Sequence, residues 1–424
     1  MTKPPIIRSD DLRAENRQRI LDVLRKHGAS TRSDLSNKSG LSPATISTLT
    51  SALGNEGTIV SDHSLPNNGL ETQAENHSGR RGRPEHTLKL DPMAAVVINA
   101  IFTIDRLQVR LLDYRGDELT ATQQEFNSQQ LSQDELLEKL SSSMDSVLTA
   151  SKIKNVQSRL QHIGVGFQGT TEHASGKVLY SPIISVDDFP LGEYLEQRYE
   201  VPVSVQNDCR LMAKALHHSH SETLGNTFAT VLFSHGIGLG LYIDGKPFSG
   251  HASSALEIGH LPFQRDGALC RCGRKGCVEA YAADYGIKRL YAGKRIDDQP
   301  LGRVPVETLN EIIQAAMDGE QSAVQSFAIA GAAVGDGLSR LFTLIDPMPV
   351  VVLGRSRDGL ELMRPALQET LNSNLRKSQQ TMNSATIHCF DEADPWLLRG
   401  LALDSLMTVD RGFAFNKMGV RDAS

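Results

Sequence analysis

No stretch of this sequence approaches the 18 or more apolar residues of a membrane span, and the apolar run at 93–102 is far too short. The N-terminus, MTKPPIIRSD, lacks the apolar segment of a secretory signal. Cysteine is sparse: there are five, an odd number, and three of them crowd between 270 and 277. That is no disulfide framework, and it points to a reducing cytoplasm and a metal. A large charge excess is also missing. The net charge of −6 argues against a protein that coats nucleic acid with its whole surface. What is present is ordinary for a globular chain: 39% apolar and 22% charged residues exclude a coiled-coil rod, a collagen-like chain and a mostly disordered one. At 424 residues the chain is long enough for two or three domains with sizeable cores.

Charge is uneven along the chain. Residues 1–90 carry 13 Lys+Arg against 10 Asp+Glu, and the remainder carries 31 against 40. A mildly basic head on an acidic body fits a DNA-binding module attached to something else. Residues 10–27 have the spacing of an amphipathic helix, with Leu12, Ile20, Leu21, Val23 and Leu24 as its apolar face and Gly28 as its stop. Thr31 with Asp34 resembles a capping box for a short helix ending at Gly40. Ser42-Pro43 opens a third helix in which Ile46, Leu49 and Leu53 face the core. This layout is a helix-turn-helix. Arg32, Ser42, Ala44, Thr45, Ser47 and Thr48 then become candidates for DNA contact, because small polar and methyl-bearing side chains suit the start of a recognition helix in the major groove. The alternative is a plain three-helix bundle with those residues facing water. Residues 58–62 and 87–90 read as the two strands of a wing. Between them, Arg81 and Arg83 flank Gly82 before Pro84, a narrow cationic finger suited to the minor groove, or else a solvated linker.

His260, Cys270, Cys272 and Cys277 are spaced as a closed set of four ligands for a structural zinc, with Gly273 and Gly276 allowing tight turns between them. Buried core cysteines would fit poorly beside Arg271, Arg274 and Lys275. A nucleic-acid zinc finger fits less well, since paired C-x2-C and H-x3-H halves are lacking. A closed shell also speaks against a zinc hydrolase. Further back, residues 201–206 read as a strand followed by Asn207 and Asp208. Asp208 is either a helix cap or a polar group at a strand's carboxyl end, where α/β proteins place ligands.

These features together resemble the ROK family (repressors, open reading frames, kinases) over nearly the whole chain. The head carries SDLSNKSGLSPATISTLTSALGNEG and a GRP shortly before LKLDP; the body carries EIGH followed by CRCGRKGCVE. The resemblance is strongest to the repressor branch with the NagC, Mlc and XylR types. It implies an α/β fold: an N-terminal winged helix-turn-helix at 1–90, then a two-lobed actin/hexokinase-like body with a structural zinc loop. Lobe 1 would span 91–205 with a C-terminal helix of about 395–424 returning to it, and lobe 2, with the zinc motif, 206–394. It also implies a sugar site at Gly169, Asn207, Asp208, Glu257, His260 and Glu279, with residues 164–169 as a glycine-rich turn beside the sugar. In the family's kinases the Asp matching Asp208 is the base for the attacked hydroxyl. The phosphate motifs depart from the family pattern. DxGGT is replaced by Asn99-Ala100-Ile101-Phe102-Thr103, the Thr of GTGIGxG by His235, and the end of LGG by Arg355. The resemblance therefore implies no enzyme but a cytoplasmic, sugar-responsive DNA-binding regulator, a repressor of carbohydrate uptake or catabolism genes released by a sugar or sugar phosphate. Its partners would be double-stranded operator DNA and a second copy or more, as a homodimer or homotetramer. The rival is an active sugar kinase that kept a DNA-binding head. A third possibility is a body that senses a phosphotransferase-system protein.

Overall fold

The structure is a computed structural model and describes residues 9–62, 86–172, 175–251, 253, 256–300, 302–375, 386–390 and 392–416. The head comprises α1 (Ser9–His27), α2 (Arg32–Ser39), α3 (Pro43–Asn55), β1 (Ile59–Asp62) and β2 (Thr87–Leu90). Its helix ends follow from local chemistry. The Thr31 hydroxyl accepts the Asp34 N–H while the Asp34 carboxylate accepts the Thr31 N–H, a reciprocal capping box. Gly40 closes α2 in the left-handed conformation, and Ser42 caps α3 with Pro43 in its first turn. β1 and β2 pair antiparallel from Ile59↔Leu90 to Asp62↔Thr87. The cationic finger with Arg81 and Arg83 lies outside the described residues. Ile20, Leu21, Val23 and Leu24 are buried, but Leu12 is 50% exposed. Burial on α1 starts only at Arg17, so Leu12 does not belong to the core face.

The body holds two five-stranded sheets of the same plan. In the first, β3 (Val96–Phe102), β4 (Arg106–Asp113) and β5 (Glu118–Glu125) form an antiparallel meander. After α4 (Gln133–Ala150) and α5 (Val156–Arg159), β6 (Leu160–Phe167) joins β3 in parallel. A small hairpin of β7 (Thr170–Thr171) and β8 (Val178–Tyr180) and then α6 (Leu191–Tyr199) lead to β9 (Val203–Asn207), parallel to β6. The second sheet repeats the scheme. α7 (Asp208–Leu224) precedes a meander of β10 (Phe228–Phe233), β11 (Ile237–Ile243) and β12 (Lys246–Pro247). α8 (Glu279–Ala282), α9 (Asp284–Tyr291), α10 (Val306–Met317) and α11 (Gln321–Leu344) follow. β13 (Val350–Gly354) then runs parallel to β10, and after α12 (Arg357–Asn374), β14 (Ile387–Phe390) runs parallel to β13. The chain's last described element is α13 (Ala393–Asn416).

One further expectation needs correction. Residues 164–167 are not a turn but the end of β6; only Gln168 and Gly169 leave the strand. The glycines there serve packing: a Cβ on Gly164 would stand 2.3 Å from the Ser405 hydroxyl of α13. By length and composition α11 is apolar enough to cross a bilayer. In the fold it is a core helix, and its small residues let α12 approach: a Cβ on Gly331 would meet the Met363 carbonyl at 2.1 Å.

α13 connects everything. Asn99 of β3 and Ser405 hydrogen bond at 2.7 Å, Lys214 of α7 pairs with Asp404 at 2.8 Å, and Leu397 and Leu401 pack with Leu211 and Met212 of α7. Near its end, α13 meets the head. Ile20, Leu21 and Leu24 share one core with Val97, Leu112, Tyr114, Leu406 and Val409. Inside that core, Arg25 reaches both Asp410 carboxylate oxygens, at 2.8 and 3.2 Å. Gln18 and the Tyr114 hydroxyl donate to the same carboxylate. The pair is shielded from water, with side-chain exposures of 4% and 0%. Removing one partner of a buried, hydrogen-bonded pair strands the other charge, which costs about 3–5 kcal/mol. Asp410→Ala is therefore expected to destabilise the chain by about that amount and loosen the head, read by thermal unfolding and by the rate of tryptic release of residues 1–60. Arg25→Met combined with Asp410→Leu is expected to recover most of the loss. An unchanged unfolding midpoint for the single variant would show that the head does not depend on this pair.

Candidate functional site: a polar cleft beside a Cys-His cluster

β9 delivers Asn207 to the cleft, and α7 starts from it. The Asn207 side chain caps α7 by accepting the Arg210 N–H at 3.2 Å, and its amide donates to the Gly169 carbonyl at 3.0 Å. Asp208 is thus the first residue of the helix and not its cap. Gly169 holds φ 140°, and a Cβ there would lie 2.4 Å from the Tyr180 carbonyl, so only glycine fits. Asp208 is buried, with one carboxylate oxygen taking the Cys209 N–H at 2.8 Å. Burial pushes its carboxyl up from 3.8 to about 6.

The other half of the cleft comes from the second lobe. Exposed Glu257 accepts the Thr170 hydroxyl at 3.0 Å, which ties the two lobes at the cleft mouth. Its second oxygen lies 3.4 Å from His260 Nε2. Buried Glu279 opens α8, accepts the Tyr285 hydroxyl at 3.3 Å and stands so close to Gly236 that a Cβ there would meet it at 2.8 Å. Gly169, Asn207, Asp208, Glu257, His260 and Glu279 all line one cavity of about 50 Å³. Residues separated by up to 110 positions in sequence therefore meet in one place. The cavity is small and lined by polar groups. It adjoins a larger cavity of about 560 Å³, and Gln168, Asp208 and Leu232 line both.

His260 has two faces. Its Nε2 looks at Glu257, while its Nδ1 lies 3.8 Å from Cys270 Sγ. The ligand atoms of His260, Cys270, Cys272 and Cys277 all fall within 4.8 Å of one another, so the four could hold a metal ion. Three thiolates and one imidazole are a donor set suited to a tetrahedral zinc. Around them, Tyr285 donates to Cys270 at 3.5 Å and Arg274 to Cys272 at 3.5 Å. Cys209 is buried and Cys389 half-buried, and neither belongs to this set.

In the head, Ser42, Ala44, Ser47 and Thr48 are exposed along one side of α3, and Thr45 is half-buried with its hydroxyl 2.9 Å from that of Ser42. Arg32 is held against α3, its Nε donating to the Thr50 hydroxyl at 3.2 Å. At the positions matching the family's phosphate turn, the Thr103 N–H donates to the Arg106 carbonyl, and Phe102 stacks on Phe167 with centroids 5.2 Å apart. Sequence reasoning did not single out Tyr180, Pro182, Leu256, Arg303 or the joint position of His235 and Arg355 as cleft residues. All come from segments that only the tertiary fold brings together.

Cys272→Ser is expected to lower bound metal from about one equivalent to a small fraction and, by releasing His260, to weaken any ligand of the cleft by about 10–100-fold. Metal analysis and calorimetry on the same preparation check this. Full metal content with normal ligand affinity would separate the cluster from the cleft.

The ROK family profile matches residues 112–392, and a winged helix-turn-helix DNA-binding profile matches residues 13–60. The chain is 26% identical to the xylose repressor of Caldicellulosiruptor bescii over 371 residues, which is 85% of this chain and 88% of that protein. It is 25% identical to the DNA-binding transcriptional repressor Mlc of Escherichia coli over 412 residues, 95% of this chain and 94% of that one. Among solved structures, a ROK family transcriptional regulator described as a homolog of E. coli Mlc superposes with a TM-score of 0.69 at 21% identity, covering 94% of this chain and 99% of its own. With two like-built sheets facing one polar cleft, a Cys-His cluster at its side and a winged head packed onto it, the chain belongs to the ROK family.

Proposed function

We propose that this chain is a sugar-responsive transcriptional repressor of carbohydrate-use genes that works in the cytoplasm as a homodimer or homotetramer on double-stranded operator DNA. The observation that carries the reading is the joint placement of two parts. Five polar residues of the expected sugar site and Gly169 converge on one cleft, and the head is fused to the same body through a shared core. Ser42, Ala44, Thr45, Ser47 and Thr48 on the free side of α3 reach base edges, with Arg32 beside them and Arg81 and Arg83 in the adjacent minor groove. Two heads on a symmetric assembly contact half-sites about one or two helical turns apart. Asn207, Asp208, Glu257, His260 and Glu279 hold the sugar hydroxyls, with Gly169 giving its backbone close approach. Zinc bound at His260, Cys270, Cys272 and Cys277 fixes the loop that presents His260 and, through Cys277, Glu279.

The sugar-side cavity is small, and in this reading sugar binding shifts the lobes. The Thr170–Glu257 link at the mouth must break or re-form in that motion. Lobe movement then changes the spacing of the heads, and operator affinity changes by the sugar's differential affinity for the two arrangements.

The kinase reading draws on Asp208, which stands between the sugar-side cavity and the larger one. Against it, the turn N–H of Thr103 is already used, and Ile101 and Phe102 are packed in apolar cores where a kinase needs glycine. A sensor needs no transferable phosphoryl group, and this chain has kept the residues that read a sugar.

The test is operator binding by the full, metal-loaded chain with a panel of sugars and sugar phosphates, with and without Mg-ATP. One sugar class releasing DNA without ATP supports the reading. Release by no sugar moves the weight to a protein effector such as a phosphotransferase-system component, and phosphorylated product would establish the kinase. The Asp208 carboxyl supplies a pH signature. Its folded value of about 6 exceeds the ordinary 3.8, so the native state keeps a proton that the unfolded chain has lost, and stability falls as pH rises through that window. A sugar hydroxyl that donates to Asp208 favours the ionised form, so affinity should rise as pH rises through about 6. Asp208→Asn is expected to flatten this profile; an unchanged profile would remove Asp208 from the contact.

A further inference from the structure

Arg271 stands between two members of the Cys-His cluster, Cys270 and Cys272, yet its side chain leaves the loop. Nη1 donates to the His235 carbonyl at 2.6 Å and Nη2 to the Gly302 carbonyl at 2.8 Å. The guanidinium carbon lies 4.2 Å from the centre of the Tyr285 ring, and the Tyr285 hydroxyl donates to Cys270 at 3.5 Å. The two carbonyls belong to separate segments. His235 is in the turn between β10 and β11, which borders the larger cavity through His235 and the smaller one through Gly236. Gly302 directly precedes Arg303, which reaches Asp105 of the β3–β4 turn in the first lobe at 2.8 Å. One side chain of the cysteine loop thus holds a wall of the cleft and the backbone beside a residue that ties the second lobe to the first.

An ion pair in contact with water is worth little, because ordering two side chains offsets the attraction. Arg303 and Asp105 form such a pair, with side-chain exposures of 52% and 22%. It gains strength where both ends are held beforehand. Asp105 is held by the Thr103 hydroxyl, which donates to its carboxylate at 2.9 Å. On the other side Arg271 holds the backbone at Gly302, and Val304 is sunk in the second lobe's core. A planar guanidinium fork spans two carbonyls at once, which the point charge of a lysine does not. A second tie, at the smaller cavity, leads to the same cluster. Thr170 of the first lobe donates to Glu257, whose other oxygen lies 3.4 Å from His260. These two links between the lobes therefore both end at the Cys-His set or at a residue within its loop.

We infer that Arg271 is a positioning residue that makes the closure of the two lobes depend on the Cys-His cluster. With the loop in place, Arg271 fixes Gly302, and Arg303 meets Asp105 with little further ordering. With the loop loosened, Arg303 loses its support and the larger cavity is freed on that side. The inference concerns the lobes alone and goes beyond the sugar-sensor reading, since it holds for any ligand of the cleft.

The test is backbone hydrogen exchange on the full, metal-loaded chain, read by mass spectrometry in three segments: the first-lobe turn at 103–106, the segment 302–305 and the β10–β11 turn at 234–236. Arg271→Met is expected to speed exchange by about two- to fivefold at 302–305 and also at 103–106, a segment that Arg271 does not touch. Arg271→Lys should recover part of the protection. Arg303→Met should speed exchange at 103–106 and leave bound metal and 234–236 as they were. Combining Arg271→Met with Arg303→Met should add nothing at 103–106 beyond Arg303→Met alone, because both act on one link. Metal content and unfolding midpoint are measured for every variant. Where Arg271→Met loses its metal, the metal-depleted Cys272→Ser variant takes its place in the cycle, and it too should add nothing at 103–106 once Arg303 is gone. Additive effects at 103–106 in either cycle overturn the inference. So does a rise confined to 234–236 and 302–305, which would reduce Arg271 to local support of its own lobe, and so does unchanged exchange at 302–305 in Arg271→Met.

Discussion

The buried pair of Arg25 and Asp410 sets what this molecule can do. A head tethered by a linker would feel nothing of a cleft in the body. Here a guanidinium from α1 is sunk into the base of α13, and its carboxylate partner takes three further constraints, from Gln18, Tyr114 and the surrounding apolar core. A charge in such a place tolerates little displacement, because any shift leaves it both desolvated and unpaired. The head must therefore follow α13. α13 in turn is fixed to β3 by Ser405 and Asn99, and to α7 by Asp404 and Lys214. α7 begins at Asp208, inside the cleft. The path from cleft to head is one helix, one ion pair, a second helix and another ion pair.

The repeated sheet plan explains why the cleft lies where it does. Each sheet ends its parallel strands toward the same gap, so β6, β9, β10 and β13 all deliver their carboxyl ends there. Backbone groups at such ends are free of ladder partners, and helices starting there add their own N–H groups. Gly169, Asn207, His235 and Arg355 occupy four of these ends.

Legibility in the sequence followed the range of the interaction. Thr31 with Asp34, Ser42 with Pro43 and the three clustered cysteines were readable because each motif closes within a few residues. The convergence of Asn207, Glu257, His260 and Glu279 came from family resemblance, since nothing local links them. Failures were informative too. Gly164 and Gly166 suggested a turn, yet they sit in a strand because α13 crosses it closely. Periodicity placed Leu12 inside, but it cannot say where a helix's burial starts. His235 and Arg355 each looked like the loss of a motif. Only the parallel pairing of β10 and β13 shows that the two replacements meet.

That meeting bears on how a kinase-like body is turned into a sensor. Catalysis demands a closed state reached in every turnover, with phosphates cradled by both lobes. A sensor needs two arrangements of comparable stability and a ligand that prefers one, and a difference of about 1–3 kcal/mol suffices to alter operator occupancy severalfold or more. On the proposed reading, Ile101 and Phe102, both buried in apolar cores, stand where catalysis would need a glycine turn. In the same region Arg303 pairs with Asp105 and Arg106 with Asp394, so the first lobe is joined to the second and to α13 by exposed ion pairs. Such pairs are each worth little and can open under a modest bias. The buried Arg25–Asp410 pair at the other end of α13 cannot. The molecule thus places its weak links at the cleft and its strong one at the head, an arrangement that, on the proposed reading, lets a ligand move the lobes while the head stays fixed to the helix that reports the movement.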